Sequence, residues 1–209
     1  MTHPLFDRRL AIPSWWPCLA AVLLAIVLLP WPRVSAAAED QATIQRTAEL
    51  INNIRNRLDA CGDEGMLAAP APGTATAHKV ANRSRIAARP RLAWNPMLAE
   101  TARRHSESMA TQGYFDHVDG EGRTVGARAR AVGYRYRVVG ENLAAGHASI
   151  DEAIRGWLLS DSHCRNLIDA RFTEFGIARV QSRDPDDRYG AYWTLVLGVQ
   201  QGAQVAAAR

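Results

Sequence analysis

Helical apolar periods come first in this chain, followed by one extended segment, a further helix and a hairpin, and this order constrains the fold more than any other feature. A strict strand–helix–strand alternation is missing. The pattern predicts the α+β class, with a small mostly antiparallel sheet covered by helices. Ile44, Ala48, Ile51, Ile54 and Leu58 recur at spacings of three and four, with Cys61 next in the series and Gly62 as a stop. Asn95 and Pro96 open a second helix as N-cap and first helical residue, Leu98, Ala102, His105 and Met109 share its face, and Gly113 ends it. Thr124 to Ala131 is a short helix closed by Gly133. Tyr134–Val139 reads as a strand running into Gly140-Glu141-Asn142-Leu143-Ala144. Ser149 and Glu152 form a capping box ahead of the stripe Ile150, Ala153, Ile154, Trp157 and Leu158. Phe175–Val180 and Tyr192–Leu197 alternate as strands across a turn at Arg183–Asp187, which makes them a hairpin.

The organisation expected is a secretory signal over 1–38, an N-terminal helix over 39–61, an Ala/Pro/Gly-rich loop over 62–90, one domain over 91–200 and a tail over 201–209. Arg8 and Arg9 precede an uncharged run from Leu19 to Leu29, and Val34-Ser35-Ala36-Ala37-Ala38 supplies the small residues of a cleavage site. The run falls short of the roughly 20 residues a spanning helix needs, so membrane contact is expected only through the signal segment if it stays uncleaved. Three Arg and one Asp lie in 1–38, which leaves 22 basic and 20 acidic residues beyond it. That balance, together with a basic side made of Arg apart from Lys79, argues against a nucleic-acid partner. Cys18 leaves with the signal. The remaining Cys61 and Cys164, in an exported chain, are expected to be bridged rather than free.

Several chemistries are excluded by what the sequence lacks. There is no His-Glu-x-x-His, no Gly-x-Ser-x-Gly elbow, no phosphate-cradling Gly-rich loop and no paired Cys-x-x-Cys. Asp161, Ser162 and His163 are consecutive, so their side chains point apart and do not make a triad. His105 is read as a core histidine, His147 as a residue bordering the site at most, and Arg123, Arg128, Arg130, Arg135 and Arg137 as a solvated face. Trp94, Trp157 and Trp193 are read as core.

What remains is Phe115-Asp116-His117, Gly140-Glu141-Asn142-Leu143-Ala144 and the Trp157–Leu167 segment. With Leu92-Ala93-Trp94-Asn95, His105-Ser106, Gly133-Tyr134, Phe175-Gly176 and Tyr192-Trp193, these pieces resemble the CAP superfamily: cysteine-rich secretory, antigen 5 and pathogenesis-related 1 proteins. The match is to its bacterial SCP-like extracellular members. The resemblance implies a three-layer α-β-α sandwich and a surface cleft holding two His and two acidic residues. His117, Glu141 and His163 fall on three of those positions, and Ser160 stands where the eukaryotic pattern has its second Glu. It also implies that Cys61 and Cys164 tie the loop after His163 to the N-terminal helix.

The function expected is that of a secreted or periplasmic binding module whose cleft (His117, Glu141, Ser160, His163) takes a divalent metal or a small ligand. His117 and His163 are the expected metal ligands, with zinc the metal considered, since two imidazoles suit an open zinc site; a polar network closing the loop ends is the other reading. No catalytic residue is assigned. The alternative is a metal-assisted or histidine-dependent hydrolase, such as a peptidase of the envelope or extracellular space. The partner is left as a protein, lipid or cell-envelope ligand.

Overall fold

A computed structural model describes residues 36–57, 61 and 89–202. The expected signal segment therefore lies outside the described residues up to 35, as do nearly all of the 62–90 loop and the end of the tail. Among the described residues no helix is long and apolar enough to cross a membrane.

Helix α1 runs over Ala36–Arg55. It buries Leu50, Ile51 and Ile54 fully and Ile44 and Ala48 partly, which is the face its spacing predicts. The helix ends before Cys61. Arg55, 1% exposed, turns its guanidinium inward to the carbonyls of Pro90, Leu167, Asp169 and Phe172. Asn56 and Arg57 meanwhile tighten the last turn with bonds to Asn53 and Ile54. The Asn52 side chain pairs with both backbone groups of Leu92, fixing α1 to the next element.

That element is the two-residue strand β1, Ala93–Trp94. Helix α2, Pro96–Gln112, follows with Asn95 accepting from the amides of Met97 and Leu98, and it stops at Gly113 in the left-handed conformation. Then come α3 (Val125–Ala131), β2 (Tyr136–Ala145), α4 (Ile150–Leu158), α5 (Asp161–Ile168), β3 (Glu174–Gln181) and β4 (Ala191–Gln200). In the capping box before α4, Ser149 accepts from the Glu152 amide, while the Glu152 carboxylate takes the amide of Ala148 rather than that of Ser149. Two short elements, β1 and α5, are not apparent from the sequence periods, because two and eight residues carry too little pattern.

The sheet has the order β1-β3-β4-β2, with β3 and β2 both antiparallel to β4 and β1 parallel to β3. Strand β4 is buried from Ala191 to Val199. Its two faces meet different layers: Trp193, Leu195 and Leu197 join the cluster built from α1, α4 and α5. Tyr192 and Val196 pack instead with residues of α2, including Leu98, Ala102 and Met109. These two clusters make the α-β-α layering. Close packing of α2 on β3 needs a glycine: a Cβ at Gly176 would lie 2.0 Å from the Ala99 nitrogen. Trp157 and Trp193 are core as expected, but Trp94 is 43% exposed, because β1 is an edge strand too short to be covered.

The expected disulfide is present. Cys61 and Cys164 are bonded with Cα atoms 5.7 Å apart, across 103 residues of chain. Loop-closure entropy assigns such a crosslink up to about 4–5 kcal/mol.

Candidate functional site

Strand β2 is an edge of the sheet, so groups from the two helical layers can meet across it. Residues of β2 alternate between the layers. Glu141 points toward α2 and α3, whereas Asn142 meets α5, its side-chain amide donating to the His163 carbonyl. Asn166 of α5 donates to the Glu141 carbonyl and to the Asn142 side chain. These bonds hold α5, which carries His163, against the strand edge. His117 arrives from the other layer, in the loop between α2 and α3. That loop is folded by Asp119, whose carboxylate accepts the amides of Glu121 and Arg123 and the Arg123 side chain.

At the centre is the Glu141 carboxylate, 1% exposed. One oxygen accepts from His117 Nδ1 at 2.9 Å and the other from Arg128 Nη2 at 2.7 Å. Arg128 is itself buried and also donates to the carbonyls of His117 and Arg123. A buried carboxylate needs a partner of this kind, because its desolvation is costly when it stands alone. His105, fully buried on α2, lies 3.9 Å from the same Glu141 oxygen and bonds through Nε2 to the Asp116 carbonyl. A carbonyl only accepts, so Nε2 carries the proton, and Nδ1 has no partner among the described residues.

The histidines differ in their proton affinity. The hydrogen bond to Glu141 raises the His117 pKa above its ordinary value, with burial opposing. Burial lowers that of His163, and the neighbouring His117 lowers it further. Burial also lowers that of His105, against the attraction of Glu141. The rings of His117 and His163 are neighbours, tilted by 40° with centroids 6.5 Å apart. With its Nδ1 proton directed to a carboxylate, the neutral His117 ring presents a bare Nε2, an orientation that carboxylate partners commonly impose on metal-binding histidines.

The structure thus brings together three of the four residues singled out from the sequence. Ser160 takes the N-cap position of α5 without a side-chain cap bond, and its hydroxyl lies 3.4 Å from that of Ser162. It is not hydrogen-bonded to His117, Glu141 or His163. His147 stands apart, over Gly156, with its carbonyl taken by the Trp193 indole. The reading of Arg128 as part of a solvated face is corrected: it is the buried counterion of Glu141. A signal for this is available, since Val125, Arg128, Ala129 and Val132 follow the i, i+3, i+4, i+7 spacing of an apolar stripe. A charge in such a stripe needs a buried partner. His105 is a core residue as expected, and it also backs the site.

Comparison with known proteins places the chain in a family. Over 100 residues the chain is 31% identical to the uncharacterized protein YkwD of Bacillus subtilis, covering 46% of this chain and 35% of that protein. A second relative, the uncharacterized membrane protein YlbC of the same organism, is 32% identical over 79 residues, covering 38% of this chain and 23% of the relative. The chain therefore matches about a third or less of the length of either. The crystal structure of an extracellular protein containing an SCP domain from Bacillus anthracis has the same fold, with a TM-score of 0.55 at 23% identity, covering 81% of this chain and 45% of that one. A sequence model of the Cysteine-rich secretory protein family, CAP, matches residues 48–197. With well over half of its length matched, the chain belongs to the Cysteine-rich secretory protein (CAP) family.

Proposed function

We propose that the chain is a secreted or periplasmic binding module whose cleft takes up a divalent metal such as zinc, and through it a small ligand. His117 and His163 are the metal ligands in this reading, and Glu141 orients His117. The observation that carries it is the single hydrogen bond from His117 Nδ1 to the buried Glu141 carboxylate, with the His163 ring 6.5 Å from that of His117 between centroids. Both oxygens of Glu141 are engaged, by His117 and Arg128, so it serves as a partner of the ligand.

The donor set fits an open site of low affinity. Zinc sites usually draw three or four ligands from the protein. Among the described residues no group of three or more His, Cys, Asp or Glu is arranged to hold a metal. Two imidazoles leave two coordination positions to solvent or to a ligand. Bound there, a metal would supply Lewis acidity and an attachment point for an oxygen or nitrogen donor. Arg128 keeps Glu141 in place, Glu141 holds the Nδ1 proton of His117, and the Asn142 and Asn166 bonds keep α5 and His163 at the strand edge. Export is proposed from the Arg8–Ala38 segment and from the family to which the chain belongs.

The test is a calorimetric zinc titration of the oxidised protein beside a His117→Ala/His163→Ala double variant. Saturation near one metal per chain, lost in the variant, is the expected result. No heat of binding, or equal binding by the variant, would leave the two histidines as a structural network.

A further inference from the structure

A concave surface apart from the histidine site lies where α2 ends and the β3–β4 hairpin turns. It is an open groove of about 400 Å³ between Gly113 and Phe115 on one side and the 184–192 segment on the other, a volume that accommodates a small organic ligand. Its chemistry differs from that of the histidine cleft. Phe115, Tyr189 and Tyr192 form a contiguous aromatic wall, with ring centroids 5.6, 6.5 and 5.8 Å apart around the triangle. Phe115 is 42% exposed, so its ring is open to a ligand in the groove.

Three carboxylates line the same groove, and they have different tasks. Asp187 is structural: it accepts the amides of Tyr189 and Gly190 and the Tyr192 hydroxyl, so it fixes the aromatic wall. Asp184 accepts one amide, that of Asp186. The Asp186 side chain has neither a hydrogen-bond nor an ion-pair partner among the described residues. Arg188, which also lines the groove, forms no ion pair with them; its guanidinium lies over the Tyr189 ring, 5.3 Å from the centroid. The protein thus already sets a cation on this wall.

We infer that this groove binds a small organic ammonium cation, with its alkyl groups against Phe115 and Tyr189 and its charge toward Asp184 and Asp186. The negative faces of the rings attract a cation, and an alkylated ammonium loses less hydration than a bare one when it meets them. A neutral apolar ligand would gain nothing from the carboxylates, and an anion would be repelled by them. The inference does not depend on metal binding at His117 and His163.

Choline and its neutral isostere 3,3-dimethylbutan-1-ol are the probes, titrated into the purified chain at constant ionic strength and followed by the amide NMR signals of Gly113, Phe115, Tyr189 and Gly190. Choline is expected to saturate with a Kd on the order of 1–10 mM, the range for a few exposed cation–ring contacts, and the alcohol to bind at least tenfold more weakly. Phe115→Leu and Tyr189→Leu should each weaken choline about fivefold or more, and Asp184→Asn/Asp186→Asn should do so in a salt-dependent way. His117→Ala/His163→Ala should leave choline binding unchanged, which separates this site from the metal cleft. Equal affinity for the alcohol, no saturation by 100 mM choline, or indifference to the Phe115 and Tyr189 substitutions in variants whose remaining spectrum is native would overturn the inference.

Discussion

Strands β4 and β2 lie side by side, and the contrast between them explains where chemistry can sit in this fold. β4 has a strand on each side and a helical layer on each face, and it is buried from Ala191 to Val199. Its buried residues are mostly apolar; of the polar groups among them, Thr194 is satisfied by Ser106 and the Tyr192 hydroxyl by Asp187. β2 has the same length but one free edge. It buries Glu141 and Asn142 in its middle, and both are held by side chains that reach the edge from opposite layers. The lesson is topological. A buried polar group needs partners, and an edge strand can receive them across its open side as well as from its two faces, whereas a central strand has only its faces.

This contrast gives its largest effect at β4. Trp193→Ala removes a side chain that is 2% exposed, and should cost about 3–5 kcal/mol in urea unfolding, while leaving the proton affinity order of His117 and His163 intact. A change in that order would mean that the two strands are not energetically separate. At β2 the corresponding effect is electrostatic. Arg128→Met or Glu141→Gln alone leaves its buried partner without a counter-charge, and each should cost about 3 kcal/mol or more. The double variant should recover part of this loss in a double-mutant cycle. Strict additivity would show that the pair is not coupled. A smaller effect is expected at the N-terminal end of the domain. Reduction of Cys61–Cys164 should lower stability by about 2–4 kcal/mol, read as a shift of the urea midpoint. An unchanged midpoint would show that burial of Cys164 and the Arg55 bonds suffice to hold α1.

How much of this was legible in the sequence follows the same division. The helix α2, with Asn95, Pro96 and Gly113 at its ends, the α4 stripe and the β3–β4 hairpin are all announced by local chemistry: a cap, a stop or a period. Cys61 and Cys164 were readable as a pair because no other cysteine remains past residue 38. The candidate site was legible only in pieces, as Phe115-Asp116-His117, Glu141 and His163, since their convergence depends on β2 being an edge. Arg128 was misread because a charge on a seven-residue helix looks solvated until its stripe position is counted. Ser160 matched a motif position, yet its hydroxyl faces Ser162, because the N-cap role places it by backbone geometry rather than by the cleft.

The subtlest difference between the strands is its dependence on pH, and its sign can be worked out. His105 and His163 have folded pKa values below the ordinary 6.5, chiefly from burial. The unfolded chain therefore takes up their protons first, and each destabilises the fold as pH falls below about 6.5. His117, raised by its bond to Glu141, acts in the opposite direction: its contribution is complete below 6.5 and is lost as pH rises through its folded value. Its side chain is 56% exposed, so screening makes this gain the weaker influence. Ordinary carboxylates titrate near 4, so histidines dominate between pH 7 and 5. Urea unfolding over that interval should therefore show stability falling on acidification. The slope should flatten in His105→Gln and steepen in His117→Gln, whereas Trp193→Ala should lower stability at every pH without altering the slope. A profile that is flat in the unsubstituted protein and stays flat in both His105→Gln and His117→Gln would show that the histidines at the β2 edge do not exchange protons differently in the folded and unfolded chain, and that the edge is as inert as the centre.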